Sequence, residues 1–99
     1  AWTLGSADVR RLLVKARRLF VRACSLRSAM GCMNKGHLLL DKKLGRPQRQ
    51  KALDAYRRGC AFGLRRLPGA LSKAKTYGCD QAARLCRKHP RLRGCPSGR

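Results

Sequence analysis

The stretch from Ser6 to Met30, SADVRRLLVKARRLFVRACSLRSAM, decides the fold class. Val9, Leu12, Leu13, Ala16, Leu19, Phe20, Ala23, Leu26 and Met30 recur with the period of an α-helix and share one side of it; Arg10, Arg11, Lys15, Arg17, Arg18 and Arg22 take the other. Ser6 stands where an N-cap accepts from free backbone N–H groups. Asp8 lies in the first turn, where the helix dipole favours a negative charge, and Gly31 can end the helix. The spacing predicts one amphipathic helix over 7–30. Val14 and Val21 interrupt its basic side, so contacts are expected there too.

An acid-poor, Arg-rich amphipathic helix is also the pattern of a mitochondrial targeting segment. Here the basic composition continues unchanged to residue 99, and the apolar stripe is long enough to be the main packing face of a small helical protein. The helix is therefore read as structure rather than as an address.

Further along, the chain turns between Met33 and His37, and His37 to Leu44 forms a short apolar-basic segment that Gly45 stops. Pro47 suits the first position of a helix running to Gly59. Pro68 opens another that Gly78 closes, and Asp80 to His89 is stopped by Pro90. The chain holds 15 Leu and 12 Ala but only three Val and no Ile, a balance that favours helices over strands. The expected architecture is all-α: one long N-terminal amphipathic helix, then three or four short helices. Together they form a single small domain over 1–89, followed by an extended basic tail over 90–99. That tail has Leu92 as its one aliphatic side chain, too little to offset its ordering entropy alone, so it is expected to order on a partner. For 99 residues the expectation is one small domain rather than a multidomain enzyme. The longest apolar runs are three residues, as in Leu38 to Leu40, against roughly 20 for a membrane span.

Charge points to the partner. There are 25 Lys and Arg against four acids, Asp8, Asp41, Asp54 and Asp80, giving a formal net charge of +21. Such a chain repels itself wherever it is compact, so a polyanion is expected beside it. Seventeen of the basic residues are Arg, whose planar fork binds phosphate bidentately and stacks on bases. The candidate RNA-binding residues are Arg10, Arg11, Lys15, Arg17, Arg18, Arg22, Lys42, Lys43, Arg46, Arg49, Arg57, Arg58, Arg65, Arg66, Arg91, Arg93 and Arg99. Their spread over the whole chain fits embedding in folded RNA better than reading one DNA groove. Trp2, Phe20, Tyr56, Phe62 and Tyr77 could stack on bases, with core packing the better role for Phe20 and Phe62.

The six cysteines, Cys24, Cys32, Cys60, Cys79, Cys86 and Cys95, lack the two-residue knuckle of a zinc site. A four-thiolate site, disulfide-stapled helices and free thiols acting as small hydrophobes are all open to this spacing, and free thiols are the favoured reading. No metal and no cofactor is expected. Neither a phosphate cradle nor a nucleophile paired with a base is evident, so no catalytic residues are assigned and the chain is not read as an enzyme.

Three segments carry a resemblance. LLVKARRLF at Leu12 to Phe20, KGHLLLDKKLGRPQRQKALDAY at Lys35 to Tyr56 and RLRGCPSGR at Arg91 to Arg99 follow one another in the order and spacing of a known pattern. The first is similar to an opening-helix Leu-x-x-x-Ala-x-x-Ile/Leu-Phe motif, the second to a Gly-x-x-x-Leu-x-x-x-Leu-x-Gly-Pro segment leading to a tyrosine, and the third to an Arg-Gly-Lys-x-x-Pro-Lys-Lys tail. This pattern resembles the mitochondrion-specific small-subunit ribosomal protein family numbered thirty-three. The tyrosine here precedes Arg57 rather than proline, most of the tail's lysines are replaced, acidic residues common before that tail are missing, and the six cysteines are not a family trait. The resemblance implies a structural component of the mitochondrial ribosome in the matrix, bound to ribosomal RNA and neighbouring ribosomal proteins. It implies no membrane contact and no homo-oligomer, and free thiols agree with that address. The alternatives are a secreted, disulfide-stapled, membrane-active cationic peptide and a DNA-condensing basic protein.

Overall fold

Four glycines that punctuate the sequence set how closely the helices approach. The computed structural model describes residues 5–63 and 72–96. Within them the elements are α1 (Ser6–Ser25), α2 (Ala29–Leu39), a short 3₁₀ turn (Lys42–Leu44), α3 (Arg49–Gly63) and α4 (Ser72–Lys88). The described residues are all helix, turn and loop, with α3 between α2 and α4 and with α1 packed mainly on α2. Gly59 and Gly78, read above as helix stops, lie inside α3 and α4. A Cβ on Gly78 would stand 2.9 Å from the Cys60 nitrogen and 3.1 Å from the Tyr56 carbonyl oxygen, so α4 rests on the backbone of α3 at that point. Gly36 lets α2 close on a side chain of α3 instead, since its Cβ would meet the Tyr56 ring at 2.5 Å, and Gly31 seats α2 against Ala23. At these positions a missing side chain admits a neighbouring helix.

The long first helix ends earlier than its apolar period predicts. α1 stops at Ser25, and Arg27 takes a left-handed backbone with φ 68°. The Ser28 N–H donates to the Ala23 carbonyl and the Arg27 N–H to the Cys24 carbonyl, both at 3.0 Å. This pair of bonds is a Schellman closure with Arg27 where glycine is usual. Ser28 then caps α2, its Oγ accepting from the Gly31 N–H at 3.0 Å. The predicted helix over 7–30 is thus two helices meeting at an elbow. At the other end Gly5, not Ser6, holds the N-cap position, and its carbonyl accepts from the Val9 N–H at 3.0 Å. Pro47 lies before α3 rather than in it, while Gln48 bridges to α2 through its N–H to the Leu39 carbonyl at 2.9 Å. The two helices expected on either side of Gly78 are one, and Pro68 lies outside the described residues.

The core is small. Leu39, Ala52, Leu53, Tyr56, Ala82 and Leu85 form its buried cluster, with Leu40, Cys86, Leu92 and Cys95 packed against it. Ala52, Leu53, Tyr56 and Gly59 fall on one face of α3, and Gly78, Ala82 and Leu85 on one face of α4, as a 3.6-residue period requires. In α1, by contrast, Cys24 is the one buried residue among those described.

Two further expectations are corrected. The cysteines are not free thiols: Cys24 pairs with Cys32, Cys60 with Cys79 and Cys86 with Cys95, at Cα separations of 4.4, 4.7 and 5.4 Å. All three separations lie in the range a disulfide spans without backbone distortion. Nor is the segment from Pro90 an extended tail over its described part, residues 90–96. It turns back under the Cys86–Cys95 bridge. The Gln50 amide clamps the Arg93 backbone, its Oε1 accepting from the N–H at 2.9 Å and its Nε2 donating to the carbonyl at 3.1 Å, and Arg57 donates to the Gly94 carbonyl at 3.2 Å. Covalent and polar contacts to α3 and α4 order a segment whose own apolar content could not.

Candidate polyanion-binding surface

Where α1, α2 and α3 meet they enclose a groove of about 540 Å³, and its charge is one-sided. Arg17 reaches it from α1, Lys35 from α2, and Lys51 and Arg58 from α3, with Asp54 the single carboxylate among the lining residues. Val21, Leu39 and Ala55 give it an apolar wall. Arg17 and Lys35 are half-buried, and Lys51 and Arg58 are exposed. The Gln50 amide donates to Asp54 Oδ1 at 3.3 Å, occupying part of the one carboxylate among the lining residues. Four cations facing one carboxylate leave a formal excess of three positive charges, a setting that attracts phosphate.

A second cationic array lies on α1. Arg11, Lys15, Arg18 and Arg22 are exposed at spacings of four, three and four residues, which puts them in one row. The row is about 16 Å long at 1.5 Å per residue. Each neighbouring like-charged pair opposes the helix by roughly 0.2–0.5 kcal/mol. Beside it lie the apolar side chains of Leu12, Leu19 and, at the C-cap, Leu26, with Met30 exposed beyond the elbow on α2; the four are between 52 and 73% exposed. The single apolar stripe read from the sequence therefore divides. Leu13, Ala16, Phe20 and Ala23 are half-buried, while those four side chains face outward.

The remaining candidates are distributed. Arg10 is exposed on α1; Lys42, Lys43, Arg46 and Arg49 are exposed around the 3₁₀ turn and the start of α3; Arg57 is exposed against the returning segment that carries exposed Arg91 and Arg93. Arg65, Arg66 and Arg99 lie outside the described residues. Of the fourteen candidates among the described residues, only Arg17 and Arg58 reach the groove, where Lys35 and Lys51 join them. Lys51 sits seven residues before Arg58 on α3, a same-face spacing visible in the sequence. Lys35 is brought in by the elbow, for which no sequence signal was read. Tyr56 is not available for base stacking, being 2% exposed in the core.

Among the described residues no group of three His, Cys, Asp or Glu could hold a metal, and no helix is long and apolar enough to cross a membrane. Compared with protein-family models, curated proteins and solved structures, the chain gives no match.

Proposed function

We propose that this chain is a non-catalytic RNA-binding protein of the ribosomal type, a structural component of the mitochondrial small subunit that holds ribosomal RNA backbone and neighbouring ribosomal proteins. The observation that carries the reading is the convergence of Arg17, Lys35, Lys51 and Arg58 on one groove, within a chain whose formal charge is +21. Phosphate contacts of this kind position a protein on RNA and read little sequence. The ribosomal address itself rests on the three sequence motifs. Binding to a structured RNA over a salt series tests the chemistry: each phosphate contact contributes roughly 0.7–0.9 to the slope of log affinity against log salt. Replacing the four groove cations by Gln is expected to lower that slope by about 3. An unchanged slope removes the groove from the reading. Sedimentation of tagged protein tests the address, and persistent absence from ribosomal subunits at moderate salt rejects it.

Three disulfides favour a second reading, because such bridges persist in oxidising compartments. There a cationic helix with an exposed Leu12–Leu19–Leu26 ridge suits an anionic membrane surface. Dye release from anionic but not zwitterionic vesicles, without preference for structured RNA, selects this alternative. Competition between ribosomal RNA and duplex DNA separates both from a DNA-condensing role.

A further inference from the structure

On the opposite side of α3 from the cationic groove lies a second groove of different character. Its volume is about 800 Å³, inside the roughly 300–1,000 Å³ of small-molecule sites. It runs between α3 and α4 and is closed at one end by the returning segment. Leu53 forms its floor, Ala82, Ala83 and Pro90 line it, and Arg57 and Arg87 are its two charged residues. Leu53 and Ala82 are buried, Ala83 is exposed, and both arginines are exposed at the mouth. Arg57 uses one N–H on the Gly94 carbonyl and has others to offer. Arg87 lies one turn from Ala83 on α4.

The geometry points to a binding site for a single-chain fatty carboxylate, its alkyl chain along the Leu53–Ala82 floor and its head against Arg57 and Arg87. An apolar trough with two guanidiniums and no carboxylate among its lining residues selects an amphiphile with an anionic head over a neutral or cationic one. The guanidinium fork matches a carboxylate in shape. Two disulfides, Cys60–Cys79 and Cys86–Cys95, contribute to its walls. They hold the α3–α4 spacing and the returning segment in place, so little ordering is needed on binding. The inference stands apart from the RNA reading, since the residues of the two grooves do not overlap.

Titration calorimetry of the oxidised full chain with dodecanoate below its micelle concentration, at 0.15 M salt, tests it, with acetate as the head-only comparison. One dodecanoate per chain is expected, with no measurable acetate binding. Ala83→Trp, placed at an exposed helix position so that the fold survives, is expected to weaken dodecanoate at least tenfold by filling the trough. Arg87→Gln is expected to weaken it several-fold. Absence of dodecanoate binding overturns the proposal, as does binding that Ala83→Trp leaves unchanged, which marks general attraction to a cationic surface. Sedimentation equilibrium supplies the remaining arm: a dimer that Ala83→Trp dissociates assigns the trough to a second copy of the chain and overturns the fatty carboxylate.

Discussion

The Tyr56 hydroxyl and His37 Nδ1 lie 2.8 Å apart, with the two rings edge-on at a centroid distance of 5.3 Å. This contact joins α2 to α3 at the point where Gly36 makes room for the phenol. Burial holds the His37 pKa below its ordinary value of 6.5. With the hydroxyl donating, the imidazole is neutral and Nδ1 accepts.

The pH dependence follows from that depression. Above about 6.5 the imidazole is neutral in both folded and unfolded chains, and its contribution to stability is fully present. As pH falls below that value the unfolded chain takes up a proton before the folded one, so stability is lost toward the lowered folded pKa. Urea midpoints at pH 7.5 and 5 are expected to show this loss, and His37→Gln is expected to shrink it. Tyr56→Phe should cost about 1 kcal/mol at pH 7.5. A pH response unchanged in His37→Gln assigns it to other groups.

Arg27 carries a left-handed backbone, φ 68°, with no side chain suited to it. Arg27→Gly is expected to stabilise the protein by about 0.5–1 kcal/mol, because the strain of a Cβ in this region exceeds the extra entropy glycine brings to the unfolded chain. Arg27→Val should act in the opposite direction. Thermal melts of the two variants check the ordering.

Gly78→Ala places a methyl against backbone atoms of Cys60 and Tyr56 that cannot turn aside as a side chain could. A loss of about 1–3 kcal/mol is expected. At the exposed, equally helical Ala83, replacement by Ser should change stability by less than about 0.7 kcal/mol. Equal effects at the two sites would show that α4 does not approach α3 as described.

Removing the Cys86–Cys95 bridge as the double Ala variant should release the returning segment. The expected cost is about 2–3 kcal/mol, with faster tryptic cleavage after Arg91 and Arg93. Peptide mapping without reduction should recover all three pairings in the native chain. Mixed pairings would contradict the helix arrangement, since each bridge reports a specific neighbour.

Inorganic polyphosphate should raise the melting temperature at low salt, because it relieves the like-charge row Arg11, Lys15, Arg18 and Arg22 as well as filling the groove. The rise should vanish near 1 M salt, where the screening length falls to about 3 Å. A rise that persists there would point to a non-electrostatic contact.

The helical class and the positions of the amphipathic segments are legible in the sequence, because 3.6-residue periodicity is a local signal. What is not legible lies in contacts across the fold. Gly59 and Gly78 carry the same local meaning as a helix stop whether or not another helix leans on them, and only the packing of α4 on α3 tells the two apart. Leu26 and Met30 continue the period of α1 past its end, yet the elbow at Arg27 leaves them 73 and 54% exposed. The cysteine pairing is equally non-local: eight residues separate Cys24 from Cys32, and only the turn between α1 and α2 brings them together. The cationic character of the candidate site was visible, but its membership was not, since Lys35 reaches Arg58 only after α2 folds back on α3.

The three disulfides follow one another along the chain without crossing or enclosing one another. Covalently the protein is therefore one small ring near its start and two near its end, joined by a single plain thread, residues 33–59. A protease that cut near the Lys42–Leu44 turn would leave two pieces held by noncovalent contacts, among them Tyr56–His37 and Gln48–Leu39, and separable in denaturant without any reductant. The bridges harden each half while leaving the seam between the halves to noncovalent forces. They also allow each clasp to close in order from the N-terminus during synthesis, as soon as its own two cysteines have emerged.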